Sequence, residues 1–97
     1  MDNNFRIRFI IKTLDGFEPL CDFYIGRNRH IAHALYHQLA GSVEVLEGDV
    51  LQIDFVEMNN GLPVNVKIKN CTLLEMSGNC SLIAKEIFKH RNLEGMF

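Results

Sequence analysis

Twice in this chain a short turn signal splits a pair of alternating apolar runs, and each pair is followed by a stretch of helical periodicity. The first signal is Leu14-Asp15-Gly16 and the second is Asn60-Gly61. Alternation with a period of two buries one face of a strand, and recurrence every three to four residues buries one stripe of a helix. The chain therefore reads as strand, strand, helix, written twice. This predicts an α+β fold of order ββαββα: a mainly antiparallel sheet of four to five strands from two hairpins, with two helices packed on one face. All 97 residues are expected to form a single domain, and a chain of this length buries roughly 60 to 65% of its unfolded surface.

In the first hairpin Phe5, Ile7, Phe9 and Ile11 alternate with Arg6, Arg8, Ile10 and Lys12, and Phe17, Cys21, Phe23 and Ile25 share one face of the return strand. Residues directly opposite each other lie on the same face, so register follows from keeping apolar residues together. A two-residue Asp15-Gly16 loop would set Phe9 against Asp22. A three-residue Leu14-Asp15-Gly16 loop with a bulged glycine instead pairs Phe9 with Cys21, Ile7 with Phe23 and Phe5 with Ile25. It also sets Lys12 against Glu18, Arg8 against Asp22, and Arg6 against Tyr24 as a cation–π pair. Pro19, which cannot donate to a ladder, marks this strand as an edge or as bulged.

The second hairpin is expected to close on a two-residue Asn60-Gly61 turn, the pair that best accepts positive φ at both positions. Facing Leu51, Ile53 and Phe55 with Val64, Val66 and Ile68 puts Phe55 opposite Val66, Ile53 opposite Ile68, and Asp54 opposite Lys67 on the outer face. The return strand is expected to reach Leu74 with a bulge near Asn70. The first helix is predicted from Asn28 as N-cap to about Ala40, with Gly41 just past its end and Ile31, Ala34, Leu35 and Leu39 buried. The second is predicted from about Asn79 to Arg91, burying Cys80, Ile83, Ala84, Ile87 and Phe88. Val43 to Leu46 is a candidate fifth strand. The repeated plan fits a duplication, and it equally fits the common need of each hairpin for a covering helix.

The net charge of −2 is spread along the chain, so no field gathers phosphates or anionic lipid, and neither nucleic acid nor a membrane is expected as a partner. The polar, acidic start Met1-Asp2-Asn3-Asn4 and the lack of a long apolar run point to a soluble chain that is not exported. Cys21, Cys71 and Cys80 form an odd set without Cys-x-x-Cys spacing, which suits a reducing, cytoplasmic setting with thiols acting as small hydrophobes. The acceptor-like runs at Asn70-Cys71-Thr72 and Asn79-Cys80-Ser81 matter only in a secreted chain.

Three features carry candidate chemistry. His30, His33 and His37 fall within about 60° of arc on the first helix, opposite the expected buried stripe, and His33 with His37 has the one-turn spacing that lets two imidazoles share a zinc ion. The commoner alternative is a polar helix face rich in histidine, with zinc binding only adventitious and no cofactor required. Arg27 and Arg29 flank the helix start, where free N–H groups attract anions; an ordinary connection with solvated arginines is again commoner. Finally, Ile10, Leu20 and Tyr24 on one hairpin, with Val50, Val56 and Met58 on or beside the other, make the outer sheet face half apolar. Leu46, Leu93, Met96 and Phe97 are candidate covers for it. No paired carboxylates, nucleophile elbow or Cys-His spacing suggests catalysis. The reading that best fits is a non-catalytic binding or self-assembly module, homodimeric through its sheet surface or edge, with metal or small-anion binding as the alternative.

Overall fold

The computed structural model describes residues 3–92. Its elements run β1 (Asn4–Thr13), β2 (Gly16–Gly26), α1 (Arg29–Gln38), β3 (Leu51–Asn59), β4 (Leu62–Cys71) and α2 (Leu73–Asn92). The fold is α+β, with one antiparallel sheet of order β2-β1-β3-β4. The two hairpins join through β1 and β3, where Ile7 meets Phe55 and Phe9 meets Ile53. The two strands that supply most of the buried residues thus occupy the centre, and β2 and β4 form the edges.

Phe5, Ile7 and Phe9 of β1, Leu51, Ile53 and Phe55 of β3, and Cys71 of β4 all point to one sheet face by register. There they form one core cluster with Ala32, Leu35 and Tyr36 of α1, Leu39 at its end, and Ile83 of α2. Each large aliphatic or aromatic side chain buried this way contributes about 1.5–3 kcal/mol, which fixes the register of the central strands.

The first hairpin keeps the expected partners beyond its turn: Phe9 with Cys21, Ile7 with Phe23, Arg8 with Asp22 and Arg6 with Tyr24. The extra residue, however, is not Gly16. Thr13 pairs with Gly16 around a two-residue Leu14-Asp15 turn, and the ladder slips at Leu20, beside Pro19. Proline lacks the N–H that the ladder needs, so the irregularity settles next to it. Lys12 consequently faces Phe17 rather than Glu18, and a second slip sets Phe5 against Gly26 instead of Ile25.

The second hairpin departs further. Asn60 and Gly61 adopt φ of 52° and 79° as a primed turn requires, and Asn59 pairs with Leu62. The slip comes next to Pro63: Met58 pairs with Pro63, Glu57 with Asn65, and Val64 is the extra residue. Asn65 to Lys69 therefore change face, and the bulge expected near Asn70 does not form. Phe55 lies opposite Lys67, Ile53 opposite Lys69, and Val56 opposite Val66, so the expected pairs of Phe55 with Val66, Ile53 with Ile68 and Asp54 with Lys67 do not form. What stabilises this parity is Lys69. Its Nζ donates to the carbonyls of Tyr36 at 3.0 Å and Leu39 at 3.1 Å at the end of α1, where the Tyr36 carbonyl also accepts from the Leu39 N–H, and it lies 4.4 Å from the centre of the Tyr36 ring.

Asn28 caps α1 as expected, its Oδ1 accepting from the Ile31 N–H at 3.0 Å. The helix ends at Gln38 with Leu39 extended, short of Ala40. Gly41 serves instead where the chain crosses β4, since a Cβ there would meet the Asn70 carbonyl oxygen at 2.9 Å. Ser42 bridges Asn70 at that crossing, and residues 43–46 form no strand. Helix α2 begins six residues before the expected Asn79. Thr72 and Glu75 make a reciprocal cap: the Thr72 hydroxyl accepts from the Glu75 N–H, and the Glu75 carboxylate accepts from the Thr72 N–H. Of the residues expected to be buried on α2, Ile83 is fully so, Cys80 and Ile87 partly, and Ala84 and Phe88 are exposed. Asn79 sits mid-helix and is 3% exposed; its amide accepts from the Ala40 N–H and donates to the Ala40 carbonyl, both at 2.8 Å.

Candidate functional site

The buried stripe of α1 is Ala32, Leu35, Tyr36 and Leu39, with Ile31 half-buried and Ala34 exposed. At 100° per residue this is a rotation of about 70° from the expected stripe. Aromatic stacking explains it: the Tyr36 ring lies 4.8 Å from that of Phe55, which in turn stacks on Phe5 at 5.8 Å. The rotation splits the histidines. His30 and His37 remain exposed, while His33 is half-buried, edge-on to Phe55 at 4.9 Å and Phe5 at 5.8 Å. Burial, with Lys67 and Arg29 nearby, lowers the pKa of His33 and favours the neutral imidazole. Among the described residues, no three His, Cys, Asp or Glu side chains are gathered to hold a metal ion, so the structure does not bring the trio together as a site.

Arg27 and Arg29 also diverge. Arg29 makes a bidentate ion pair with Glu57, whose side chain is 8% exposed, and its guanidinium lies over the Phe5 ring at 5.2 Å. Asn3 donates to the same carboxylate. Hydrogen bonds from Arg29 and then Asn3 lower the Glu57 pKa, and Glu57 in turn raises that of Arg29. The anion that Arg29 binds is therefore internal. This cluster fastens the start of β1, the first turn of α1 and β3 to one another. Arg27 instead lines a cleft of about 290 Å³ between the start of α1 and the latter half of α2, with Ile25, Ile31, Leu35, Ile87, Glu86 and His90. There His90 Nε2 and Glu86 Oε2 are 3.1 Å apart, one helical turn along α2.

The thiols offer no activated nucleophile. Burial pushes all three upward, Cys71 to about 11, and Cys21 and Cys80 both pack against the same core cluster from β2 and α2. Sequence spacing had no means of pairing residues 59 positions apart.

The outer sheet face is divided rather than continuous. Arg6 stands between Tyr24 and Val56 in one cross-strand row, and Asp22, Arg8 and Asp54 form the next, which separates Ile10 from both. Asp22 lies 3.5 Å from Arg6 and from Arg8, and Arg6 lies over the Tyr24 ring at 5.3 Å. Leu20 is exposed at the β2 slip, and Val56 is only 3% exposed. The apolar side chains concentrate instead at the β3–β4 corner. Flipped by the slip at Val64, Val66 and Ile68 join Val56 and Met58 on this face, and Val64, Val66 and Ile68 are 54%, 47% and 46% exposed. Sequence parity had placed these three in the core. Of the candidate covers, Leu46 is itself exposed, and Leu93, Met96 and Phe97 lie outside the described residues.

No helix among the described residues is long and apolar enough to cross a membrane. Compared with protein-family models, with curated proteins and with solved structures, the chain finds no match.

Proposed function

We propose that this protein is a small cytoplasmic, non-catalytic self-assembly module whose partner is a second copy of itself, met through the β3–β4 side of its sheet. One observation carries the reading: Val64, Val66 and Ile68 stand about half exposed in a row beside Val56, where a solvated antiparallel sheet would present polar side chains. The charged rows at the sheet centre keep the rest of that face in water. Metal or anion binding at His30, His33, His37, Arg27 or Arg29 draws less support, because Arg29 is engaged by Glu57 and the histidines do not converge.

Sedimentation across a wide concentration range tests the proposal. The wild type should show a mass that rises with concentration, and Val66→Lys and Ile68→Lys should give folded monomers, since both positions tolerate a solvated side chain. A wild type that stays monomeric at every concentration, or lysine variants that associate as strongly as it does, overturns the reading.

A further inference from the structure

Resting on that reading, we propose that the second copy docks edge to edge along β4, in an antiparallel register centred on Val66, extending two four-stranded sheets into one of eight. β4 is an outer strand of the sheet, so its backbone donors and acceptors pointing away from β3 form a template for another strand. Both ends of that template are closed. Pro63 has no N–H to offer beside the slip at Val64, and Asn70 is already bridged by Ser42, with backbone bonds of 2.9 and 2.7 Å. Among the described residues the open stretch therefore runs from Val64 to Lys69, and Val66 and Lys67 are its two central residues.

Charge and side-chain parity select the same register. In a continuous sheet opposite residues share a face, so the symmetry axis must pass through a residue position rather than between two. Centring on Lys67 would set it against its own copy, and centring on Ile68 would set Lys67 against Lys69. Centring on Val66 sets Lys67 against Asn65, Val64 against Ile68, and Val66 against itself. No like charges meet, and the three half-exposed apolar residues of each copy become mutual neighbours on the outer face.

Asn65 and Lys67 lie on the helix side of the sheet, opposite Glu57 and Phe55 of β3, so they report on the edge and not on the outer face. Asn65→Lys should weaken the dimer roughly 2- to 30-fold, as two symmetric like-charge pairs replace neutral ones. Adding Lys67→Glu should restore it. Hydrogen exchange on the wild type supplies the second readout: amides of β4 between Val64 and Lys69 that point away from β3 should slow roughly tenfold or more on dimerisation. A dimer whose affinity ignores Asn65→Lys and whose β4 amides keep their exchange rates overturns edge pairing and leaves association through the sheet face standing. A protein that never dimerises overturns both.

Discussion

Asn79 should be the costliest polar side chain of α2 to remove, because it stands in for a strand. Its single amide satisfies both backbone groups of Ala40, just past the end of α1, with bonds of 2.8 Å each. A neutral hydrogen bond contributes about 0.5–1.5 kcal/mol net, so Asn79→Ala loses about 1–3 kcal/mol for the pair. Ala40 is itself exposed, and water reaching its freed groups keeps the loss within that range rather than above it. Urea unfolding followed by circular dichroism reads the difference directly, and each kcal/mol corresponds to roughly 4 to 8 °C in Tm for a domain of this size. Asn79→Asp sharpens the test. The new carboxylate still accepts from the Ala40 N–H but turns a second acceptor toward the Ala40 carbonyl, so the protonated form, which can donate, is favoured in the folded state. Its folded pKa then rises above the unfolded value near 3.9. The penalty should be absent below about pH 4 and grow as pH rises through the folded pKa. The reasoning fails if Asn79→Ala unfolds within about 0.5 kcal/mol of wild type, or if Asn79→Asp parallels wild type from acid to neutral pH.

Glu57 predicts the opposite pH dependence. Its pKa is lowered by Arg29 and Asn3, so the stability it confers is present above the ordinary carboxylate range and lost as pH falls through the folded value. Urea midpoints measured on the acid limb should therefore decline less steeply in Glu57→Gln than in wild type, and equal slopes would remove the role assigned to the ion pair. Cys71, raised to about 11 and fully buried, should react with iodoacetamide at neutral pH only through unfolding. Its labelling rate should track the unfolding equilibrium under added urea, and fast labelling in native buffer would contradict the packing.

Periodicity made the architecture legible: six elements in the right order, the Asn28 cap, the primed Asn60-Gly61 turn, and the Arg8–Asp22 and Arg6–Tyr24 pairs can all be read from local sequence. What it could not locate was the compensation for proline. In β2 the one-residue offset is the one expected, displaced from Gly16 to Leu20, so the Phe9–Cys21 and Ile7–Phe23 pairs survive. In β4 the offset expected near Asn70 falls beside Pro63 instead, which reverses Asn65 to Lys69. Hydrophobicity favoured Val66 and Ile68 as core; the tertiary demand of α1's terminal carbonyls for a donor favoured Lys69, and that demand is invisible along the chain. The start of α2 is legible in Thr72-Leu73-Leu74-Glu75, a capping-box signature directly after a strand that helical periodicity alone does not mark. The rotation of α1 followed from Tyr36 acting as a core aromatic, and it half-buried His33 while leaving His30 and His37 exposed.

The bulge in β4 couples two distant properties through one local irregularity. Deleting Val64 would only straighten the strand, because Asn65 would still meet Glu57, Val66 would still meet Val56 and Lys69 would still meet Ile53. Ironing the bulge out with Val64 retained is the change that reverses the strand. Val66 and Ile68 would then turn to the helix side and Lys67 and Lys69 outward, exchanging an apolar margin for a cationic one and withdrawing the ammonium from Tyr36 and Leu39. How the sheet margin meets other molecules and how firmly the first helix is terminated are thus set together by where one unpaired residue sits.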